Sequence, residues 1–259
     1  NLNFIDDNFK ALGISLGSAF RDCLNLNSPM DSLDTAGVVN LTSFFRGASA
    51  FNQDLNHLDM SSVDTIYLMF FGATSFNGDI SSWDVSNVES ISLSFFSASS
   101  FNGDLSNWIT TSLTNCGGAF QGATLFNSDI GNWDVSYVIF MNGMFRQTSF
   151  NHPLNLWDTS KVETMEGMFW GGISFNQDIS DWSFVSVTNM NNFMVFKTAN
   201  DYDANYLSDL LIKLDQDLVF ANMVNVNLGF GTIKYDSTGV TAYNSLVSKG
   251  FIIKSGGQV

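Results

Sequence analysis

The chain has 259 residues, a net charge of −15 and a sequence pI near 4.1, so phosphate backbones and anionic lipid surfaces repel it and nucleic acid is a poor partner. Its hydrophobic content of 45% suffices for a continuous core, and the low charged fraction of 14%, beside 25 phenylalanines and 2 prolines, assigns much of the stability to aromatic packing. No apolar run approaches the roughly 18 residues of a membrane span, which argues against direct membrane insertion. The chain begins at Asn1 and not at Met, which reads as a processed product, a fragment or an incompletely traced chain and leaves room for a removed export signal.

Residues 1–12 read as a partial N-terminal cap. From about Gly13 the chain repeats itself. The anchor Phe-Asn stands at Phe51, Phe76, Phe101, Phe126, Phe150 and Phe175, in steps of 25, 25, 25, 24 and 25 residues, with a decayed copy at Leu26-Asn27. A second column holds Leu33, Leu58, Trp83, Trp108, Trp133, Trp157 and Trp182, and a third Phe20, Phe45, Phe70, Phe95, Phe120, Phe145 and Phe169. Seven units run from Gly13 to about Ser186, with a degenerate eighth to about Asn200.

Within a unit the apolar spacing changes. In "DISSWDV", Trp83 and Val85 fall on one face of an expected short strand, with Asp84 on the other. Ser86 with Glu89 and Ser160 with Glu163 fit a capping box. The spacing of Val162, Met165, Met168 and Phe169 then predicts about two turns of helix, ended by a step such as Gly72-Ala73. A unit this short cannot bury its apolar side alone, so units must stack. The expected fold class is an α/β repeat solenoid, residues 13–200, with parallel rungs at roughly 4.8 Å and a stack roughly 35 Å long.

Residues 201–259 break the period and read as an αβαβ C-terminal cap. Tyr206, Leu207, Leu210, Leu211 and Leu214 define an amphipathic helix, "MVNVNLG" alternates as a strand, "STGVTAYNSLVSKG" reads as a helix from a Ser start to Gly250, and "FIIK" as a last strand. Such a tail would cover the open edge of the last rung.

The string "WDVSNV…M..MF.GA..FN.D" resembles the BspA-type leucine-rich repeat, in the Phe-Asn and Trp-Asp form seen in bacterial surface proteins and mycoplasma lipoproteins. The likeness covers about 190 of the 259 residues. It implies a leucine-rich-repeat-like right-handed stack, cell-surface display, and adhesion or partner binding.

Several columns invite chemistry. Cys23 and Cys116 lie four rungs apart, too far for a disulfide, and both read as buried side chains. The Asn column, Asn52 to Asn176, reads as hydrogen-bonding turn backbone from rung to rung. The nearby column Asp54, Asp79, Asp104, Asp129 and Asp178 brings carboxylates about 5 Å apart, a repulsion of about 0.8 kcal/mol per pair even in water. Asx-type turns offset it on one reading and bridging calcium on another; Pro29 and Pro153 in that column argue against a continuous metal site, and no cofactor is expected.

A second acidic column is expected on the exposed strand face, where repeat proteins usually bind. The candidate partner-binding residues are His57, Asp59, Asp84, Ser86, Ile109, Asp134, Ser136, Leu156, Asp158 and Asp181, of which His57, Ile109, Leu156 and Asp181 break an otherwise uniform Ser-Asp-Ser surface. Joint alanine substitution of Asp84, Ile109 and Asp134 is expected to weaken binding without changing stability. With two histidines and no nucleophile, zincin or phosphate-loop motif, an enzyme is not expected. The expected function is non-enzymatic recognition or adhesion at an extracellular, cell-surface or virion-surface location, with a host or neighbouring-cell protein or glycan as partner. The alternative is a structural subunit that self-assembles into a fibre or coat.

Overall fold

A computed structural model describes residues 14–217 and 227–259; the expected opening cap at 1–12 and the first part of the expected strand at 223–229 lie outside them. The chain opens with β1 (Ile14–Ser15) and β2 (Val38–Asn40), paired in parallel. Single parallel bridges then continue the ladder, from Asn40 to Thr65, Ser90, Asn115, Phe140, Thr164 and Asn189. Each step is one sequence unit, so consecutive units lie against one another through their backbones.

After each bridge the chain turns twice. In the first complete copy, Phe44 N–H donates to the Leu41 carbonyl and Ala48 N–H to that of Phe45, at 3.1 and 3.0 Å. The intervening amides of Leu41, Ser43, Phe45 and Gly47 donate instead to the next coil, to Thr65, Tyr67, Met69 and Phe71, at 2.7–3.1 Å. The third residue of each turn has positive φ, Ser43 at 59° and Gly47 at 71°, as in a type II turn.

The two-turn helix expected in each unit is therefore absent from the described stack, and the same apolar spacing is met by paired turns. An α-helix keeps its amides for its own carbonyls; here alternate amides are committed to the neighbouring coil. The strand expected over Asp79–Val85 is likewise not formed. The Asp79 carboxylate accepts the Ser81 amide at 3.0 Å and the Asp84 carboxylate accepts the Ser86 amide at 3.1 Å, which turns the backbone where a strand must run straight.

Aromatic rings fill the space inside the coils. Phe76 and Phe101 are parallel with centroids 5.8 Å apart, and the column continues from Phe51 to Phe175 at 5.8–6.3 Å. The adjacent column from Phe20 to Phe169 runs at 5.4–6.2 Å. Within each coil the two columns meet face to face, Phe70 on Phe76 at 3.9 Å and Phe120 on Phe126 at 3.8 Å. The third column stacks Trp83, Trp108 and Trp133 at 6.1 and 5.9 Å. Each indole N–H reaches one coil back, Trp83 to the Leu55 carbonyl at 2.8 Å and Trp108 to that of Ile80 at 3.1 Å, which satisfies the one polar atom of a buried tryptophan.

The final segment follows different rules. Helix α1 (Ala204–Asp217) buries Leu207, Leu210, Leu211 and Leu214 and is capped by Asp203, whose side chain accepts the Asn205 amide at 2.8 Å. Strand β3 (Asn227–Gly229) takes over the ladder, accepting from Asn192 and Met194 at 2.9 and 2.7 Å. Helix α2 (Val240–Ser248) leads to β4 (Ile252–Lys254), which pairs in parallel with β3. The expected Ser start of α2 is not its cap: the N-cap is Gly239, with no side-chain bond, while Asp236 accepts the Thr238 amide at 2.8 Å just before it.

Candidate functional site

The predicted partner-binding residues form one ribbon, set by repeated Asp–Ser turns in place of a strand. Asp59 accepts the Ser61 amide at 2.9 Å, Asp84 that of Ser86 at 3.1 Å, and Asp134 and Asp158 those of Ser136 and Ser160 at 3.0 Å. In two of these turns the serine hydroxyl adds a second bond to the same oxygen, at 2.6 Å. Hydrogen bonds to the charged form favour it. The Ser86 hydroxyl and amide accordingly hold the Asp84 carboxyl below its ordinary range, and Ser160 does the same for Asp158. The Asp84 and Asp134 carboxylates each hold a turn amide, so alanine at either position should cost stability as well as any partner contact.

The other acidic column is held the same way. Asp79, Asp104, Asp129 and Asp178 accept the amides of Ser81, Ser106, Gly131 and Ser180 at 2.9–3.0 Å. Backbone dipoles thus offset the like-charge repulsion along the stack. Among the described residues no three His, Cys, Asp or Glu side chains converge as a metal site would need.

The outward side chains differ from coil to coil on this constant frame. His57, Asp59, Asp84, Asp134, Asp158 and Asp181 are exposed, and Ser86 and Ser136 are half-buried. Ile109 is 60% and Leu156 76% exposed, unusual for large apolar side chains. Asp84, Ser86 and Ile109 share one groove of about 370 Å³, lined also by Trp83 and Asn107. Leu156 borders a second groove, of about 330 Å³, with Asp129, Asn132 and Pro153. His57 Nε2 donates to the Met30 carbonyl and His152 Nε2 to that of Asn127, both at 2.9 Å, so each spans two coils.

Beside the ribbon runs a ladder of asparagines. Each side-chain oxygen accepts the amide of the next asparagine, from Asn27 through Asn52, Asn77, Asn102, Asn127 and Asn151 to Asn176, at 2.7–2.9 Å. Asn176 passes the pattern to Asp203 at the start of α1. Of the two free cysteines, Cys116 is buried and its thiol is pushed well above its ordinary range by desolvation. Cys23 is exposed, against expectation: it lies in the first described coil, beside the exposed Leu24, where no other described coil stacks on its outer side.

A family model described as "Mycoplasma protein of unknown function, DUF285" matches residues 14–118 and 94–209, which together span most of the chain. The chain belongs to the DUF285 family. The DUF285 match ends inside α1, so it embraces the bridges from Asn40 to Asn189 and the ribbon. No curated protein and no solved structure matches the chain. No described helix of this DUF285 protein is long and apolar enough to cross a membrane.

Proposed function

We propose that this DUF285 protein is a BspA-type recognition module: a leucine-rich-repeat-like, right-handed solenoid that binds a protein or glycan at a cell or virion surface through the Asp–Ser ribbon, without catalysis. One observation carries the reading. The Asp–Ser turn recurs in most coils, while the outward positions at His57, Ile109, Leu156 and Asp181 vary, and two of them expose large apolar groups. A rigid frame with variable outward side chains supports recognition, whose specificity lies in exposed positions.

The test uses Ile109→Asp, which restores the aspartate of its column, with Leu156→Asn, which restores the asparagine of Asn107 and Asn132. Surface material from candidate host cells and a printed glycan array would be probed with both forms. A ligand held by the parent and lost by the double variant at equal melting temperature supports the ribbon; equal binding by both retires it.

A second reading rests on β4, the last strand of its sheet, with Ile252 47% exposed. An unpaired parallel edge is a template for another chain, and end-to-end growth would make a fibre or coat. Concentration-dependent filaments under the electron microscope, abolished by Ile253→Pro, would favour assembly; a monomer at every concentration would exclude it.

A further inference from the structure

The repeat is altered in three consecutive coils at a place the ribbon does not include. Two columns of the paired turns change together. The first reads Leu68, Leu93, then Gly118, Gly143 and Gly167; the second reads Phe71, Phe96, then Gln121, Arg146 and Trp170. Leucine is accommodated in the first column, with φ of 58° at Leu68 and 54° at Leu93. A Cβ on Gly118 would stand 2.6 Å from the Leu93 side chain, so these leucines occupy the space above the next coil. Where glycine replaces them the space opens into a cleft of about 330 Å³ lined by Gln121, Asn142, Arg146, Glu166, Trp170 and Asn192. That volume lies at the lower end of the ~300–1,000 Å³ range of small-molecule sites.

The lining has a definite chemistry. The Arg146 guanidinium lies 3.8 Å over the Trp170 ring, and its Nε is buried without a hydrogen-bond partner. The described ion pairs, Arg21–Asp22, Lys213–Asp217 and Lys249–Asp215, do not include it. Glu166 is oriented by Asn189, whose side-chain amide donates to Oε2 at 2.8 Å, leaving the other carboxylate oxygen for a ligand. One cation, one anion and three amides give a cleft without net charge on a protein of −15. An anionic ligand would face Glu166 and the field of the whole chain, and a cationic one would face Arg146. A hydroxyl both donates and accepts, and so pairs with every group present.

We propose that the Arg146–Trp170 cleft is a binding site for a neutral, hydroxyl-rich ligand, a saccharide residue. The column leading to it supports a glycan chain over a lone sugar. Phe71 and Phe96 stack at 4.5 Å and 3°, with Arg46 4.8 Å over Phe71, so half-buried rings continue along the stack beside the cleft. The stacked rings present their half-buried edges, beside amide and charged side chains, to the C–H and hydroxyl groups of a pyranose chain.

Trp170 is a built-in reporter. It is half-buried, whereas the other five tryptophans are at most 3% exposed. The full chain would be titrated with neutral oligosaccharides, cellobiose, maltose, lactose and N,N′-diacetylchitobiose, and with glucuronic acid and sialic acid, while tryptophan emission is followed. Saturable binding of a neutral sugar is expected. Arg146→Met should weaken it at least tenfold. Gly143→Leu, which places the leucine of Leu93 in the cleft, should abolish it; the nearest atom to a Cβ there is the flexible end of Gln121, at 3.0 Å. Circular dichroism checks that both variants fold, and Arg146→Met alone decides if Gly143→Leu does not. Binding of the acidic sugars only, no binding by the parent, or parental affinity in the folded variants would each overturn the proposal. Loss of sugar binding in Ile109→Asp with Arg146→Met unaffected would move the site to the ribbon, separating this failure from that of the recognition reading.

Discussion

The stack and the C-terminal segment solve one problem by opposite means. In α1 the backbone satisfies itself locally, and one apolar stripe, Leu207 to Leu214, is pressed on what lies below. In the stack almost nothing is local beyond the turns. Alternate amides reach a residue 23 or 24 positions away, and the Asn and Trp side chains reach as far as 25 and 28. Helical order survives the loss of a neighbour in part, because its hydrogen bonds are internal. A coil of the stack has no such reserve, because its alternate amides are satisfied only by the carbonyls of a neighbouring coil.

That contrast is broken most directly through the rings. Phe101 is fully buried and touches Phe76, Phe95 and Phe126, so Phe101→Ala should cost about 3–5 kcal/mol by chemical denaturation. Leu211→Ala in α1, also fully buried, should cost less, about 2–3 kcal/mol, because helix geometry persists around the gap. Equal costs would mean that the ring columns are no more cooperative than an ordinary helix interface. Next comes Asn102→Ala. It removes the acceptor of the Asn127 amide and should cost about 1–3 kcal/mol, whereas Gln216→Ala on the exposed face of α1 should change stability by about 0.5 kcal/mol or less.

Much of this was readable from the repeat. Ring columns, the Asn ladder and α1 follow from which residue types recur, since identical side chains one unit apart can satisfy one another only if units stack in register. The internal shape of the unit was harder, because Val162, Met165, Met168 and Phe169 are placed inward by two tight turns as well as by a helix. The signal that separates them was present: Gly47, Gly72, Gly122 and Gly171 share a column whose φ lies between 68° and 73°, where a helix would not ask for glycine. The exposure of Cys23 was hidden because it depends on what lies beyond its coil. The cleft at Arg146 was hidden because glycine removes a side chain from one coil and opens space over another.

The glycine column sharpens the contrast by a smaller amount. Ser97 occupies it with φ of 55°, a conformation that costs a non-glycine residue roughly 1–2 kcal/mol. Ser97→Gly should therefore stabilise the stack by about 1 kcal/mol, less the flexibility gained by the unfolded chain. Gly72→Ala should cost about the same, since an added Cβ there meets nothing within 4 Å and the backbone alone decides. In α2 the sign reverses, and Ala242→Gly should destabilise through lost helix propensity as well as lost packing. Urea midpoints of the three variants check this; a Ser97→Gly protein weaker than its parent would remove the left-handed turn from the description of the unit.

A pH-dependent effect marks the junction where one regime hands over to the other. Lys197 is buried at the end of the stack, and its Nζ donates to the carbonyls of Phe175, Ile173 and Asp201 at 2.5, 3.4 and 3.3 Å. Burial pushes the amine down to about 8 from its ordinary 10.5, with the nearby Asp201 charge opposing in part. Between those values the unfolded chain keeps a proton that the folded chain has released, so stability rises with pH through this window, and the gain is lost again as pH falls back through it to about 8. Burial pushes the Tyr202 phenol up, a trend of opposite sign that begins only near pH 10, so the comparison belongs between pH 8 and 9.5. Over that interval the urea midpoint of the parent should rise relative to that of Lys197→Met. A flat difference would mean that the three carbonyls hold the ammonium as well as water does, and that the stack is closed by a permanent charge.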